Sequence, residues 1–215
     1  QPQLRAQLQQ VHRLLDAHAG LDFIDDLEEM PATARTSMEL LQLLSQVAER
    51  CADQTLAASA LNAMALLSLQ RGRSPQLPLS LSGYAYLSSW LYGDAPLAKR
   101  LAQQSLQLCQ RSDNRSIAAK TQFLCGAKVH HWSDHLKESL PLLDSGRELG
   151  LESGDWPTAG QALLVSANNR WMCGQPLADL DGRYRGQLQV LKQINNPHLL
   201  RSFQQSALYL LNQLQ

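Results

Sequence analysis

The sequence predicts an all-α protein of about ten helices that pair as antiparallel hairpins, and three observations support this fold class. Alanine, leucine, glutamine and serine dominate the 215 residues, aromatic residues make up only 6%, and no alternating run of β-branched residues indicates a strand. Apolar residues recur at steps of three and four, which places them on one side of a helix. Turn signals built from proline, glycine and asparagine interrupt these stripes at regular intervals.

The first half of the chain holds five predicted helices. An apolar stripe at Leu4, Leu8, Val11 and Leu15 predicts the first helix, and shorter stripes predict the next two. The strings "SPQLP" and "GDAP" place a proline near the start of the fourth and fifth helices, where its missing N–H costs nothing. The predicted bounds are residues 3–18, 34–51, 54–71, 78–92 and 96–111.

The second half holds five more predicted helices, and the clearest apolar stripe of the chain belongs to one of them. This stripe consists of Leu177, Leu180, Tyr184, Leu188 and Leu191. The turn signals "QP" and "NP" start the last two helices. The predicted bounds are residues 115–131, 134–150, 157–173, 176–194 and 197–214. Because the connections are short, consecutive helices are expected to lie antiparallel.

Three of the predicted hairpin turns recur at a regular period. Gly93, Trp132 and Gly174 stand at equivalent turn positions and are separated by 39 and 42 residues, within the range of helical-hairpin repeats. One hairpin cannot bury its apolar face alone, so neighbours are expected to stack into a right-handed α-solenoid. We therefore expect a single repeat domain over residues 1–215, with an N-terminal helix and acidic connector in 1–30 and repeat hairpins in 31–215.

The string "YGDAPLAKRLAQQSL" resembles the turn and second helix of a tetratricopeptide repeat (TPR). The repeat period here exceeds the ~34 residues of that motif, and the Trp, Leu and Gly pattern of its first helix is missing. The sequence therefore predicts a degenerate, TPR-like superhelix.

Composition excludes several classes of partner. Nineteen basic and nineteen acidic residues cancel, so no net field attracts nucleic acid or an anionic membrane, and no apolar stretch approaches the ~20 residues of a membrane span. The four cysteines, Cys51, Cys109, Cys125 and Cys173, form no CxxC pair, and we expect them to be buried thiols in a reducing cytoplasm. The chain opens on Gln1 without a targeting leader, and we expect a fragment of a larger protein.

The string "VHHWSDHL" has the histidine density of a metal site. His131 and His135 have the i, i+4 spacing of two metal ligands on a helix, with Asp134 beside them. Ser133 or Asp134 is, however, a natural N-cap, and a cap between the two histidines would interrupt that helix. His130 and His131 are adjacent and about 100° apart on a helix, so they are poorly placed to share one ion.

A structural turn is the preferred interpretation of the same string. His130 and His131 would end one helix, where an imidazole can meet the last carbonyls, and Trp132 would fill the corner of the hairpin. His135 would lie at the start of the following helix. Pro141 is predicted to lie about two turns inside that helix and to kink it.

The motifs of several enzyme classes are missing from the sequence. No Gly-Lys pair exists for a phosphate-binding loop, and the kinase, GxSxG and HExxH signatures do not occur. Cys125 and His130 lie five residues apart, about 140° around a helix, and therefore do not form a nucleophile and base. We predict no catalytic, cofactor-binding or metal-binding residue.

Two further features have structural interpretations. The string "IDDLEEM" at 24–30 holds four carboxylates without the central glycine of a calcium loop, so we expect a solvated connector. Gly182 and Gly186 lie four residues apart in a predicted helix, and we expect them to permit close contact with another helix.

Several strings together carry a resemblance to a known family. These are "ALNAMALLSLQRGRSP" at 60–75, "GYAYLSSWLYGD" at 83–94, "HHWSDHLKESLPLL" at 130–143 and "LESGDWPTAG" at 151–160. In order and spacing they resemble the helical-repeat region of large bacterial signalling proteins. Those proteins join a serine/threonine-kinase-like domain, a STAND-type AAA ATPase domain, this repeat region, a GAF domain and a sensor histidine kinase. The resemblance covers residues 20–215, and the segment around Trp156 and Pro157 departs from the family pattern.

The resemblance implies a non-catalytic, regulatory segment. ATP binding, phosphoryl transfer and the phosphoacceptor histidine would belong to flanking domains, and no active-site residue transfers to this chain. The partner would be a protein, a peptide or a flanking domain of the same chain. On a curved stack the first helix of each pair would line the inner face, so five polar residues are candidate contacts. They are Gln122, Lys128, Asn168, Asn169 and Arg170.

Two alternative functions remain open at this stage. One is a free-standing TPR-like adaptor that binds a peptide. The other is a metal-dependent enzyme that uses the cluster of His130, His131 and His135.

Overall fold

The computed structural model describes residues 2–16 and 21–208, and it confirms the all-α fold class. The chain divides into two compact units, Gln1–Ile117 (unit 1) and Ala118–Gln215 (unit 2). Within the described residues, the β-type pairing is limited to one isolated bridge between Glu29 and Arg73. The right-handed solenoid and the single domain over 1–215 stay predictions.

Unit 1 consists of paired helices whose bounds agree closely with the predicted ones, and residues 17 and 18 of the first predicted helix lie outside the described residues. Helix α2 packs against α3, α4 packs against α5, α3 packs against α4, and α1 lies on α3. A short 3-10 turn at Asp22–Ile24 follows α1. The helices are α1 (Pro2–Asp16), α2 (Ala32–Arg50), α3 (Gln54–Arg71), α4 (Leu77–Tyr92) and α5 (Ala95–Gln110).

The predicted "GDAP" turn forms as its residue types dictate. Gly93 ends α4 in the left-handed conformation with φ of 70°, which glycine adopts without strain. Asp94 then caps α5, because its carboxylate accepts a hydrogen bond of 3.0 Å from the backbone N–H of Leu97. Asp53 caps α3 in the same way, because its carboxylate accepts a 3.0 Å hydrogen bond from the backbone N–H of Leu56. The starts of α3 and α5 are therefore fixed by local chemistry.

The core of unit 1 lies between α3 and α4, which are apolar on several sides. Met64, Leu81 and Tyr84 are fully buried there. The hydroxyl of Tyr84 donates a 3.2 Å hydrogen bond to the carbonyl of Leu8, which fixes α1 against α4. Burial raises the pKa of Tyr84 well above its ordinary value, so this hydroxyl stays protonated and remains a donor.

The acidic connector at 24–30 is only partly solvated, which corrects the prediction. Its carboxylates are exposed, but Ile24 and Met30 are buried. The backbone N–H of Met30 donates to the carbonyl of Arg73 at 2.9 Å, and the N–H of Arg73 donates to the carbonyl of Glu28 at 2.8 Å. Sequence reasoning missed this pairing because the contact spans more than forty residues and leaves no local pattern.

Unit 2 contains the second set of helices. Helix α6 starts at Arg115, in unit 1, and continues into unit 2. Within unit 2, α7 packs extensively against α8, while α10 packs on α8 and α9. The described part of the last predicted helix ends in a π-turn, and residues 209–214 lie outside the described residues. The helices are α6 (Arg115–Leu124), α7 (Leu140–Glu152), α8 (Trp156–Met172), α9 (Leu177–Ile194) and α10 (Pro197–Phe203).

The segment between α6 and α7 differs most from the prediction. Instead of one helix to residue 131, a π-turn forms at Cys125–Val129 and a 3-10 turn at His130–Trp132. A second 3-10 turn at Leu136–Ser139 precedes α7. Pro141 therefore lies in the first turn of α7 and does not kink it, since a first-turn residue needs no N–H for the helix.

The predicted apolar stripe of α9 faces the core of unit 2. Leu180, Tyr184 and Leu191 are buried, and the ring of Tyr184 meets that of Phe203 edge-on with centroids 5.7 Å apart. The Tyr184 hydroxyl donates to the carbonyl of Ala167 in α8. Burial raises the pKa of Tyr184 to about 12, so the bond persists at neutral pH.

The glycines of α9 do not approach another helix, contrary to the prediction. A methyl group built on Gly182 or Gly186 would have no atom within 4 Å. Close approach instead occurs at Gly150 of α7, where a Cβ would lie 3.0 Å from the Cβ of Ala159 and 3.1 Å from its backbone nitrogen.

Substitution of the α9 glycines should therefore stabilise unit 2. We expect Gly182→Ala and Gly186→Ala each to raise the free energy of unfolding by about 0.5–1 kcal/mol, because alanine restricts the unfolded chain and meets no obstacle. Gly150→Ala is the matched control. It should lower the free energy of unfolding, because the added methyl group would force Ala159 to move. Urea unfolding followed by circular dichroism measures the stability of all three variants. A loss of stability in the α9 variants would contradict the open space beside Gly182 and Gly186.

The cysteines divide into two classes, which corrects the expectation of four buried thiols. Cys109 and Cys125 are buried, whereas Cys51 is exposed and Cys173 is half-buried. Cys51 and Cys173 lie at the C-caps of α2 and α8, just beyond the last packed turn.

None of the helices in the described ranges combines the length and apolar character needed to cross a bilayer.

Candidate protein-interaction surface

The histidine cluster forms a turn whose cap is a histidine. The backbone N–H of Asp134 donates to the carbonyl of His130 at 3.0 Å. His135 is the N-cap of the following 3-10 turn, and its Nδ1 accepts a 3.1 Å hydrogen bond from the N–H of Lys137. The predicted caps, Ser133 and Asp134, bond to each other at 2.8 Å instead.

Trp132 does not fill the hairpin corner, contrary to the prediction. Its side chain is 45% exposed, and its indole N–H donates to the carbonyl of Lys128 at 3.1 Å. The His131 ring lies beside it, with centroids 5.4 Å apart. Burial, followed by the charges of Lys128 and His130, lowers the pKa of His131, which favours its neutral imidazole.

The structure gives no support to a metal centre at this turn. One ring nitrogen of His135 is engaged with the backbone, and the 3-10 turn breaks the helix that would align His131 with His135. Across residues 2–16 and 21–208, no three side chains among His, Cys, Asp and Glu are grouped to hold an ion.

Two of the five predicted partner contacts are internal, which corrects their assignment. Asn169 is buried in α8 and donates a 3.0 Å hydrogen bond to the hydroxyl of Ser139. Arg170 is buried and forms an ion pair with Asp144 of α7. These two side chains hold α8 against α7 and are not available to a partner.

The other three predicted contacts keep some access to solvent. Lys128 is exposed, whereas Gln122 and Asn168 are half-buried. The side-chain oxygen of Gln122 is shielded from solvent and accepts no hydrogen bond within the described residues. Their role in binding stays a prediction.

A cleft in unit 1 is lined by charged and polar side chains. It has a volume of about 480 Å³, and its walls come from α1 and from the turn between α4 and α5. The rings of His12 and Tyr92 are 5.9 Å apart across it. Asp94, also in the wall, already serves as the N-cap of α5. The other wall residues are Gln9 and Arg13.

An exposed apolar stripe lies on α2 and is here called the α2 face. Its four residues recur at steps of three, one and three, as neighbours on one side of a helix do. The exposed fractions are 62% for Leu40, 57% for Leu43, 39% for Leu44 and 54% for Val47. Contiguous aliphatic surface of this kind marks sites of protein contact.

The opposite side of α2 packs on the core of unit 1. Met38, Ser45 and Ala48 are buried there, and α3 supplies the contacts. The α2 face therefore lies on the solvent side of the helix, and burying it in a complex would contribute about 25 cal/mol for each Å² of apolar surface removed from water.

Sequence reasoning missed the α2 face because periodicity alone does not reveal which stripe packs inside. One signal was nevertheless present. Helix α2 carries Met38, Leu41 and Ala48 on one side and Leu40 and Leu44 on another. A helix with two apolar sides has two surfaces to cover, and a hairpin partner covers only one of them.

Comparison with known proteins finds no family model that matches this chain, and no similar curated protein or solved structure. The resemblance to multidomain signalling ATPases therefore depends on the sequence strings alone, and the function has to be argued from the surface.

Proposed function

We propose that this chain is a non-catalytic helical segment that binds a protein through the α2 face. The single observation that supports this proposal is the exposure of four aliphatic side chains in one stripe, Leu40, Leu43, Leu44 and Val47, on a helix already packed on its other side. Amphipathic helices that bind proteins use anchors at this i, i+3, i+4, i+7 spacing.

Polar residues flank the α2 face, as they flank the apolar centre of many protein interfaces. Glu39, Gln46 and Arg50 border one edge of the aliphatic stripe with polar groups, and all but the half-buried Gln46 are exposed. An apolar centre with a polar rim is the usual arrangement of protein contacts, in which the centre supplies affinity and the rim supplies orientation.

The wider role in this proposal comes from the resemblance. The segment would sit within a bacterial signalling protein that carries ATPase and kinase domains, and partner binding at the α2 face would bias those domains as a rigid-body movement. A cytoplasmic location belongs to the same proposal, which the free thiols of Cys51 and Cys173 support. A free-standing adaptor is the alternative and would use the same face.

Site-specific photo-crosslinking in the source cells tests the binding surface. A photoreactive amino acid at Leu43 should form covalent adducts with a protein, because this side chain is 57% exposed at the centre of the stripe. The matched control is the same amino acid at Gln189, an exposed position of α9, which should give no adduct. If position 43 yields no protein adduct, or no more than position 189, the proposal is wrong.

A further inference from the structure

We propose that the α2 face binds a second copy of the same chain, with the two α2 helices packed antiparallel about a twofold axis near Leu44. This inference rests on the proposed function, since it names the partner of the same surface. The apolar pattern and the charge pattern of α2 support it separately.

The apolar pattern is self-complementary in an antiparallel pair. Around a twofold axis, residues whose numbers add to a constant lie opposite each other. With that sum near 87, Leu40 faces Val47 of the second copy, and Leu43 faces Leu44 of the second copy. All four side chains are exposed in the single chain, so each one finds an apolar neighbour when two copies pair.

The charge pattern selects the antiparallel direction. Glu39 and Arg50 are both exposed and stand eleven residues apart. At about 100° per residue they fall within about 20° of each other, along one edge of the α2 face at its opposite ends. In an antiparallel twofold pair, Glu39 lies beside Arg50 of the second copy, and this contact occurs twice. A parallel twofold pair would instead place this edge of the two helices on opposite sides of the contact, where Glu39 and Arg50 do not meet.

The contact area sets the expected strength. We expect one helix pair to bury less than the ~1,200 Å² of total surface that stable complexes use, and therefore to give a weak dimer with a dissociation constant in the micromolar range. Such a dimer forms where copies are concentrated or held close together.

A charge-swap experiment on the purified chain tests this pairing by sedimentation equilibrium over a wide concentration series. Glu39→Arg and Arg50→Glu should each weaken the dimer by about tenfold. The double variant restores both contacts and should dimerise within about threefold of the original chain. Leu43→Asp should weaken the dimer by more than about tenfold. Circular dichroism verifies that every variant is folded, as expected for exposed positions.

The outcomes separate this inference from the proposed function. A chain that stays monomeric throughout the series overturns the self-pairing, as does a double variant that dimerises no better than the single ones. If the purified chain is monomeric but position 43 forms adducts with a different protein in cells, the second copy is the wrong partner and the interaction surface stands. If neither a dimer nor an adduct forms, both proposals fall.

Discussion

Gly72→Ala is expected to destabilise unit 1 by about 3 kcal/mol or more, the largest effect of a single methyl group that we expect among the described glycines. Gly72 has φ of 102°, a conformation that L-residues rarely adopt. A Cβ at this position would also overlap the backbone carbonyl of Glu28, which cannot move without breaking its 2.8 Å bond to the N–H of Arg73. Urea unfolding followed by circular dichroism measures the loss.

Gly93→Ala is the matched control for that substitution. Gly93 also has a positive φ, of 70°, but a Cβ there would have no atom within 4 Å. Its substitution should cost only about 1 kcal/mol, from the left-handed backbone alone. Equal losses at Gly72 and Gly93 would show that the connector does not lie against Gly72 as described.

Arg170→Ala is expected to destabilise unit 2 by about 2–3 kcal/mol. The substitution removes one of two hydrogen bonds to Asp144. Among the described residues, only the hydroxyl of Ser166, at 3.1 Å, then still donates to its carboxylate. The loss is below the ~3–5 kcal/mol of a fully buried pair, because the Asp144 side chain is 32% exposed and water can reach it.

Thermal or urea unfolding of the Arg170→Ala variant checks this value, and Lys128→Ala is the control. Lys128 is exposed on the same unit, so its removal should change stability by no more than about 0.5 kcal/mol. An Arg170 variant as stable as the original chain would mean that its ion pair with Asp144 does not hold α7 to α8, and that Arg170 is free to meet a partner after all.

The sequence predicts this fold well wherever local chemistry decides the structure. The bounds of α3 are 54–71 in both the prediction and the structure, because Asp53 caps one end and Gly72 ends the other. The turn at Gly93 and Asp94 is equally local. These elements need no tertiary contact to be located.

The prediction fails where packing between helices decides the backbone. A continuous helical pattern runs through residues 115–131, yet a π-turn and a 3-10 turn form in its second half. The chain there is packed closely against α7: a Cβ on Gly126 would lie 3.1 Å from the Cγ of Leu143 and 3.2 Å from the Cβ of Leu142. The α, π and 3-10 hydrogen-bond patterns are close in energy, and packing against α7 selects among them. The local sequence does not encode that packing.

Exposure was the other property that the sequence did not predict. The stripes of α2 and α9 have the same helical spacing, but the α9 stripe around Tyr184 is buried, whereas the α2 face around Leu43 is exposed. Asn169 and Arg170 show the reverse case, polar side chains that are buried because Ser139 and Asp144 lie opposite them. Only the positions of neighbouring helices distinguish a packing side chain from a binding one.

A photo-crosslinking scan of α2 tests the central claim most directly. The photoreactive amino acid is placed in turn at each position from 35 to 50, and the adduct yield is measured in the source cells. We expect the yield to peak at 40, 43, 44 and 47, the helical spacing of the α2 face, whether the adduct joins two copies or a different protein. Yields that are uniformly low, or that show no helical period, would contradict protein binding at this face.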